Sequence, residues 1–159
     1  MKNIARSFFA LWYLLGWVVH LVVVVRGPQF YAPFGDTALI PAFGDFWTAV
    51  VMPNITLFAV LLMVFELAVG MLLIGKGRQV KAGLAASLLF NLFLVQLGLT
   101  VPASDPVSDF VSNRLPNLVF IALQIPLLFQ RFDRSIPEIV LSKLRGRARK
   151  HNAEISGSN

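Results

Sequence analysis

Apolar residues run in four blocks, at about 8–25, 55–74, 82–101 and 112–130, separated by polar or proline-rich stretches. The clearest is ITLFAVLLMVFELAVGMLLI, Ile55–Ile74, in which Glu66 is the single ionisable residue. A block of this length, at about 1.5 Å rise per residue, covers the roughly 30 Å hydrocarbon core of a bilayer. The first block mixes Trp12, Tyr13 and Trp17 with aliphatic residues and carries His20 near its outer end. The third opens with Gly83, Ala85, Ala86 and Ser87, small residues that let helix backbones approach closely. Asn91 and Gln96 are its polar interior positions, and Gln124 is that of the fourth block, which also holds Pro126. The pattern predicts an all-α polytopic membrane protein, a four-transmembrane-helix bundle over residues 1–130 with a tail at 131–159.

The connections differ in character. Residues 26–53 hold Pro28, Pro33, Pro41 and Pro53, which argue against one continuous helix. Phe30, Tyr31, Phe34, Phe43, Phe46 and Trp47 in the same stretch suit an interfacial aromatic belt. Short helical pieces lying on the outer surface are expected there. Gly75–Lys81 is a tight turn with three basic residues. In the tail, Ser135-Ile136-Pro137-Glu138 has the form of a helix start, with serine as cap and proline in the first turn. Lys143, Arg145, Arg147, Arg149 and Lys150 then form a basic cluster suited to anionic lipid.

Charge orients the blocks. The chain is 57% hydrophobic and 14% charged, where a soluble domain is nearer a quarter charged. With the N-terminus, the 75–81 turn and the tail on one side, that side holds twelve of the fourteen Lys and Arg residues. The positive-inside rule makes it cytoplasmic, and an even number of spans returns the tail to the side of the N-terminus. The net charge of +6 therefore belongs to a membrane surface and not to nucleic acid. The absence of cysteine excludes disulfides, thiolate metal sites and thiol redox chemistry by this chain. His20 and His151 lie at opposite ends, no metal-ligand cluster or phosphate loop is present, and no catalytic constellation is visible. The expectation is a chain without catalytic activity of its own.

The candidate chemistry is the set of polar residues inside the blocks. Counting depth at about 1.5 Å per residue places Glu66, Asn91 and Gln124 in one middle layer. His20, Gln96, Asn54 and Asn117 fall in a layer nearer the outside. His20 and Glu66 then differ by about six residues of depth, on the order of 9 Å, so a direct contact is not expected. Glu66 admits three readings: structural glue to Asn91, a titrating or ligand-binding group in a membrane cavity, or the partner of a cation on another subunit. His20 reads either as a boundary histidine or as a quinone or proton contact.

The stretch Phe65–Gly75, led by Glu66 and carrying Gly70, is followed by the basic turn and Gly83-Leu84-Ala85-Ala86. With the long outer connection and the asparagine of the third block, this resembles the DoxX family of small four-span membrane proteins over about residues 8–130. The resemblance implies a multi-pass protein of a bacterial or archaeal inner membrane. Some members are the small subunit of thiosulfate:quinone oxidoreductase, and others belong to oxidative-stress complexes. It implies an accessory subunit of a membrane-associated, quinone-linked redox complex, alone with its redox partner or as a homo-oligomer. Two alternatives stand beside it. One is a small proton-coupled transporter with Glu66 as titrating group. The other is a quinone-binding subunit with His20, Trp17 and Gln96 lining the site.

Overall fold

The computed structural model describes residues 2–156, with side chains described through residue 147. Among the described residues there is no strand, and four helical stretches are long and apolar enough to cross a membrane. They are α1 (Lys2–Arg26), the stretch Pro41–Ile74, α4 (Arg78–Leu97) and the stretch Pro106–Leu128. The second stretch comprises α2 (Pro41–Phe46), a π-helical turn, a 3₁₀ turn and α3 (Ile55–Ile74). The fourth comprises α5 (Pro106–Asp109), another π-helical turn and α6 (Leu115–Leu128). The tail forms α7 (Ile136–Ser156).

Neighbouring helices are antiparallel: α1 packs along α3, α3 along α4, and α4 along α6. Phe8, Phe9 and Trp12 of α1 meet Phe120 of α6. The packed centre contains Phe9, Ala10, Tyr13, Val69, Leu73, Val80, Leu84 and Leu127. Its polar content is high. Arg6, Glu66, Ser87, Asn91, Asn113, Arg114, Asn117 and Gln124 are all buried, while Leu11, Leu57, Leu61 and Leu89 face outward. Polar residues inside and large aliphatic residues outside invert the soluble pattern, as a protein solvated by lipid requires. The chain is a multi-pass membrane protein.

The α1–α3 seam depends on glycine. A Cβ on Gly70 would lie 2.7 Å from Leu14 Cγ and 3.1 Å from the Leu14 backbone nitrogen. Lipid tails are as apolar as leucine, so close van der Waals contact of this kind is a main source of helix association in a membrane.

Both ends of the bundle are fastened by arginine. At the basic end, Arg6 donates to the Gly75 carbonyl at 3.3 Å and to the Arg134 carbonyl at 3.2 Å. The Lys81 ammonium donates to the Leu127 and Leu128 carbonyls. Gly75, Leu127 and Leu128 lie at the C-terminal ends of α3 and α6, and cations suit that end of the dipole. Phe132 is buried beneath Arg6, Lys2 and Lys81, with its ring centre 4.9, 5.9 and 5.8 Å away respectively. At the other end, Arg114 donates to the Val95 and Thr37 carbonyls, and Thr37 donates to the Leu97 carbonyl at 2.7 Å.

Several expected boundaries move. α1 begins at Lys2, well before residue 8, because Arg6 is buried where its carbonyl acceptors lie. α4 runs from Arg78 and stops at Leu97, not at 101, because Gly98 adopts φ +88° and turns the chain against Arg114. The second half of the 26–53 connection does not lie across the surface. It continues into α3, with the π turn Trp47–Val51 and the 3₁₀ turn Met52–Asn54 absorbing Pro53. Proline disrupts the regular ladder here, and the Asn54 side chain takes up the Val50 carbonyl at 2.9 Å.

The expected start of α7 is present as a capping box. The Glu138 N–H donates to Ser135 Oγ at 3.3 Å, and the Ser135 N–H donates to the Glu138 carboxylate at 2.8 Å.

Candidate functional site

Two polar groups occupy the bundle, and a tyrosine anchors each. The first is enclosed. Ser87 Oγ donates to Tyr13 Oη at 2.8 Å, and Asn91 Nδ2 donates to the same oxygen at 3.1 Å. Asn91 Nδ2 also donates to the Ser87 carbonyl at 2.8 Å. All three residues are buried. The group joins α1 to α4.

The second runs outward from the middle of α3. His20 Nε2 lies 3.4 Å from Glu66 Oε1, and His20 Nδ1 lies 2.7 Å from Tyr31 Oη. The contact between His20 and Glu66 corrects the depth count. Gly16 is the residue of α1 directly opposite Glu66, where a Cβ would come 2.8 Å from Oε1. His20 is one turn beyond it, about 6 Å along the axis. Side chains on a helix lean toward its N-terminus. Because α1 and α3 are antiparallel, His20 leans inward and Glu66 leans outward, and the two close the gap.

Tyr31 is held by the 3₁₀ turn Pro28–Phe34, which folds back after α1. Trp47 Nε1 donates to the Tyr31 carbonyl at 2.8 Å, and the Tyr31 ring stacks on His20 at 17° between planes. Burial, and then the Glu66 carboxylate, push the Tyr31 phenol up to about 12. The phenol therefore keeps its proton and can donate it to His20 Nδ1. A ring that accepts at Nδ1 presents Nε2 as its donor, facing Glu66. Glu66 Oε2 is buried with no protein hydrogen-bond partner. The arrangement is a line of exchangeable protons from Tyr31 through His20 to an incompletely paired carboxylate.

Beside this line is a cavity of about 320 Å³. Tyr31, Trp47, Phe58, Phe65, Phe90 and Phe93 are among its lining residues, which makes the wall aromatic and apolar. Tyr31 thus belongs both to the polar line and to the cavity wall.

The remaining candidates are placed elsewhere. Asn91 pairs with Tyr13 and Ser87 and not with Glu66, so the expected Glu66–Asn91 tie is absent from the described hydrogen bonds. Gln124 is fully buried on α6, and neither of its amide atoms has a protein partner. Gln96 is an outer fastening, its backbone carbonyl accepting from the Leu39 N–H at 2.9 Å. It does not meet His20 as a quinone-site wall, and Trp17 is not among the residues lining the aromatic cavity. Asn117 is buried on α6 with an unpaired Nδ2, and Asn54 is exposed. Lys143, Arg145 and Arg147 are exposed on α7, whereas the Arg149 and Lys150 side chains lie outside the described residues. Tyr13, Gly16, Ser87 and Tyr31 were not singled out from sequence as site residues. For Tyr13 and Gly16 the signal is spacing: Phe9, Tyr13, Gly16 and His20 form one stripe of α1, as i, i+4, i+7 and i+11 must.

Comparison of the chain with protein-family models, with curated proteins and with solved structures finds no match in any of the three.

Proposed function

We propose that the chain is a DoxX-like accessory subunit of a quinone-linked complex in a prokaryotic inner membrane, and that it holds a quinone-class molecule beside Tyr31. The observation that carries this reading is the shared position of Tyr31, at once in the wall of an aromatic cavity and at the outer end of the His20–Glu66 line. The cavity fits the ligand class in two respects. Its walls are aromatic rings suited to a flat, apolar molecule, and its one hydroxyl-bearing lining side chain is Tyr31. A quinone supplies a two-electron centre whose reduction takes up protons. The residues of this chain bind the ring, keep water from it and hold exchangeable protons at Tyr31 Oη and His20 Nε2, beside the Glu66 carboxylate. The clustering of cations at the end bearing Lys2, Lys76–Lys81 and α7 supports a cytoplasmic position for that end.

The test uses Trp47, which lines the cavity. With Trp12 and Trp17 replaced by phenylalanine, fluorescence in lipid nanodiscs reports Trp47 alone, since the chain has three tryptophans. A short-chain quinone is expected to quench it saturably, and Tyr31→Phe to weaken that quenching. Quenching that rises linearly with quinone, as simple partition into lipid would give, rejects the reading.

A further inference from the structure

At the basic end, away from the aromatic cavity, the start of α1, the segment 131–134 and the first turns of α7 line a second, open cavity of about 330 Å³. Lys2, Arg131, Arg134 and Lys143 line it, with Asp133 as the one carboxylate. The floor is Phe132, 3% exposed. We infer that this cavity is a discrete binding site for a phosphate group, and that its occupant is the headgroup of an anionic membrane lipid.

The fold itself explains why the cations are available. Arg131 and Arg134 serve the architecture through their backbone: Lys2 Nζ donates to the Arg131 carbonyl at 2.8 Å, and Arg6 donates to the Arg134 carbonyl at 3.2 Å. Among the described residues, neither guanidinium makes a hydrogen bond or an ion pair. The three pairs there are His20–Glu66, Lys76–Glu138 and Arg114–Asp109. Lys143 is likewise unpaired within that set. Asp133 also pairs with no cation there, so four cations and one carboxylate face the cavity with three positive charges in excess. Guanidinium groups suit phosphate because their donors match two of its oxygens at once.

Position selects the source of the phosphate. The cavity lies where α1 enters and α6 leaves the apolar bundle. Val140, Leu141 and Leu144 are exposed on α7 beside it, as on a helix that rests in the interface. A headgroup held there leaves its acyl chains in the bilayer. Diffuse attraction of a basic tail to an anionic surface would use Arg145 and Arg147 equally. A discrete site would not.

The experiment compares the whole protein with two double variants of equal charge change, Arg131→Gln/Arg134→Gln and Arg145→Gln/Arg147→Gln. Native mass spectrometry from detergent measures retention of phosphatidylglycerol against phosphatidylcholine of the same acyl chains. The wild type and the α7 variant are expected to prefer phosphatidylglycerol. The cavity variant is expected to lose that preference by roughly ten-fold or more. Because the replaced groups leave the backbone carbonyls in place, its thermal stability should stay at the wild-type value. Lys143→Gln, on another element, should reproduce a smaller part of the loss. Equal loss in the two double variants overturns the site. Displacement of the lipid by equimolar inorganic phosphate overturns its assignment to a lipid headgroup.

Discussion

The chain has two tyrosines, and each organises a polar group inside an apolar bundle. Around Tyr13 the partners are a serine and an asparagine, none of which titrates near neutral pH, and the described bonds close on themselves. Around Tyr31 the partners are a histidine and, beyond it, a carboxylate with one oxygen unpaired by protein. The first group is what a membrane bundle needs to fix helix against helix, since buried polar groups must find partners where water is scarce. The second contains more titratable chemistry than packing requires, and it adjoins a cavity. Polar content alone therefore does not separate glue from site. Completeness of pairing and proximity to open volume do.

The α1–α3 seam aligns the two groups. Gly70→Val places carbon against the Leu14 backbone, which cannot yield as a side-chain tip would. It should cost about 3 kcal/mol of stability in thermal unfolding and disrupt both tyrosine groups, because α1 separates from α3. Stability equal to wild type would mean that the two helices do not meet as described.

Gln124 tests whether an incompletely paired buried group must be functional. It is fully enclosed and unpaired by protein, and it lines neither the aromatic nor the basic cavity. Gln124→Leu should raise stability by about 1–3 kcal/mol without changing ligand binding, as removal of an unmet desolvation cost predicts. A loss of binding would make Gln124 part of a site.

Gly16→Ala sharpens the contrast from the other side. The atoms nearest its new carbon are the carboxylate end of Glu66, with Oε1 at 2.8 Å. Stability should change by less than about 1 kcal/mol, since alanine favours the helix as the carboxylate swings aside. Quinone quenching of Trp47 should weaken, and unchanged quenching would detach Glu66 from the cavity.

The smallest effect belongs to Glu138, outside both groups. The Ser135 N–H and then Lys76 hold its carboxyl below the usual glutamate range. A depressed carboxylate adds stability above its unfolded value and loses it as pH falls through the folded one. The start of α7 should therefore fray in acid, and Glu138→Gln should remove that pH step from the circular dichroism. The Glu138→Gln substitution should leave both tyrosine groups as they are.

Much of this architecture was legible in the residues. Four apolar blocks, the basic end and the Ser135–Glu138 helix start follow from local pattern, and the structure contains each of them. The pairing of His20 with Glu66 was not. Depth counting treats side chains as points on the axis, whereas here His20 and Glu66 lean toward each other until they are 3.4 Å apart. Depth puts Asn91 level with Glu66, which permits a tie as one of three readings, yet Asn91 bonds Tyr13, because which face of α4 meets α1 is decided by packing and not by depth. Pro41 and Pro53 read as breaks, yet α2 joins α3 through π and 3₁₀ turns whose hydrogen-bond rearrangement no residue pattern displays.

The most direct test applies one substitution at both tyrosines. Tyr13→Phe and Tyr31→Phe each remove a single oxygen, and each variant is measured for thermal stability and for quinone quenching of Trp47. Tyr13→Phe should lose about 1–3 kcal/mol, with donors of Ser87 and Asn91 left without their acceptor, and should keep its quenching. Tyr31→Phe should lose no more than about 1 kcal/mol and should lose its saturable quenching. The reverse pattern, with Tyr31→Phe unstable and still binding, or equal behaviour of the two, would contradict the division between structural and functional polar groups.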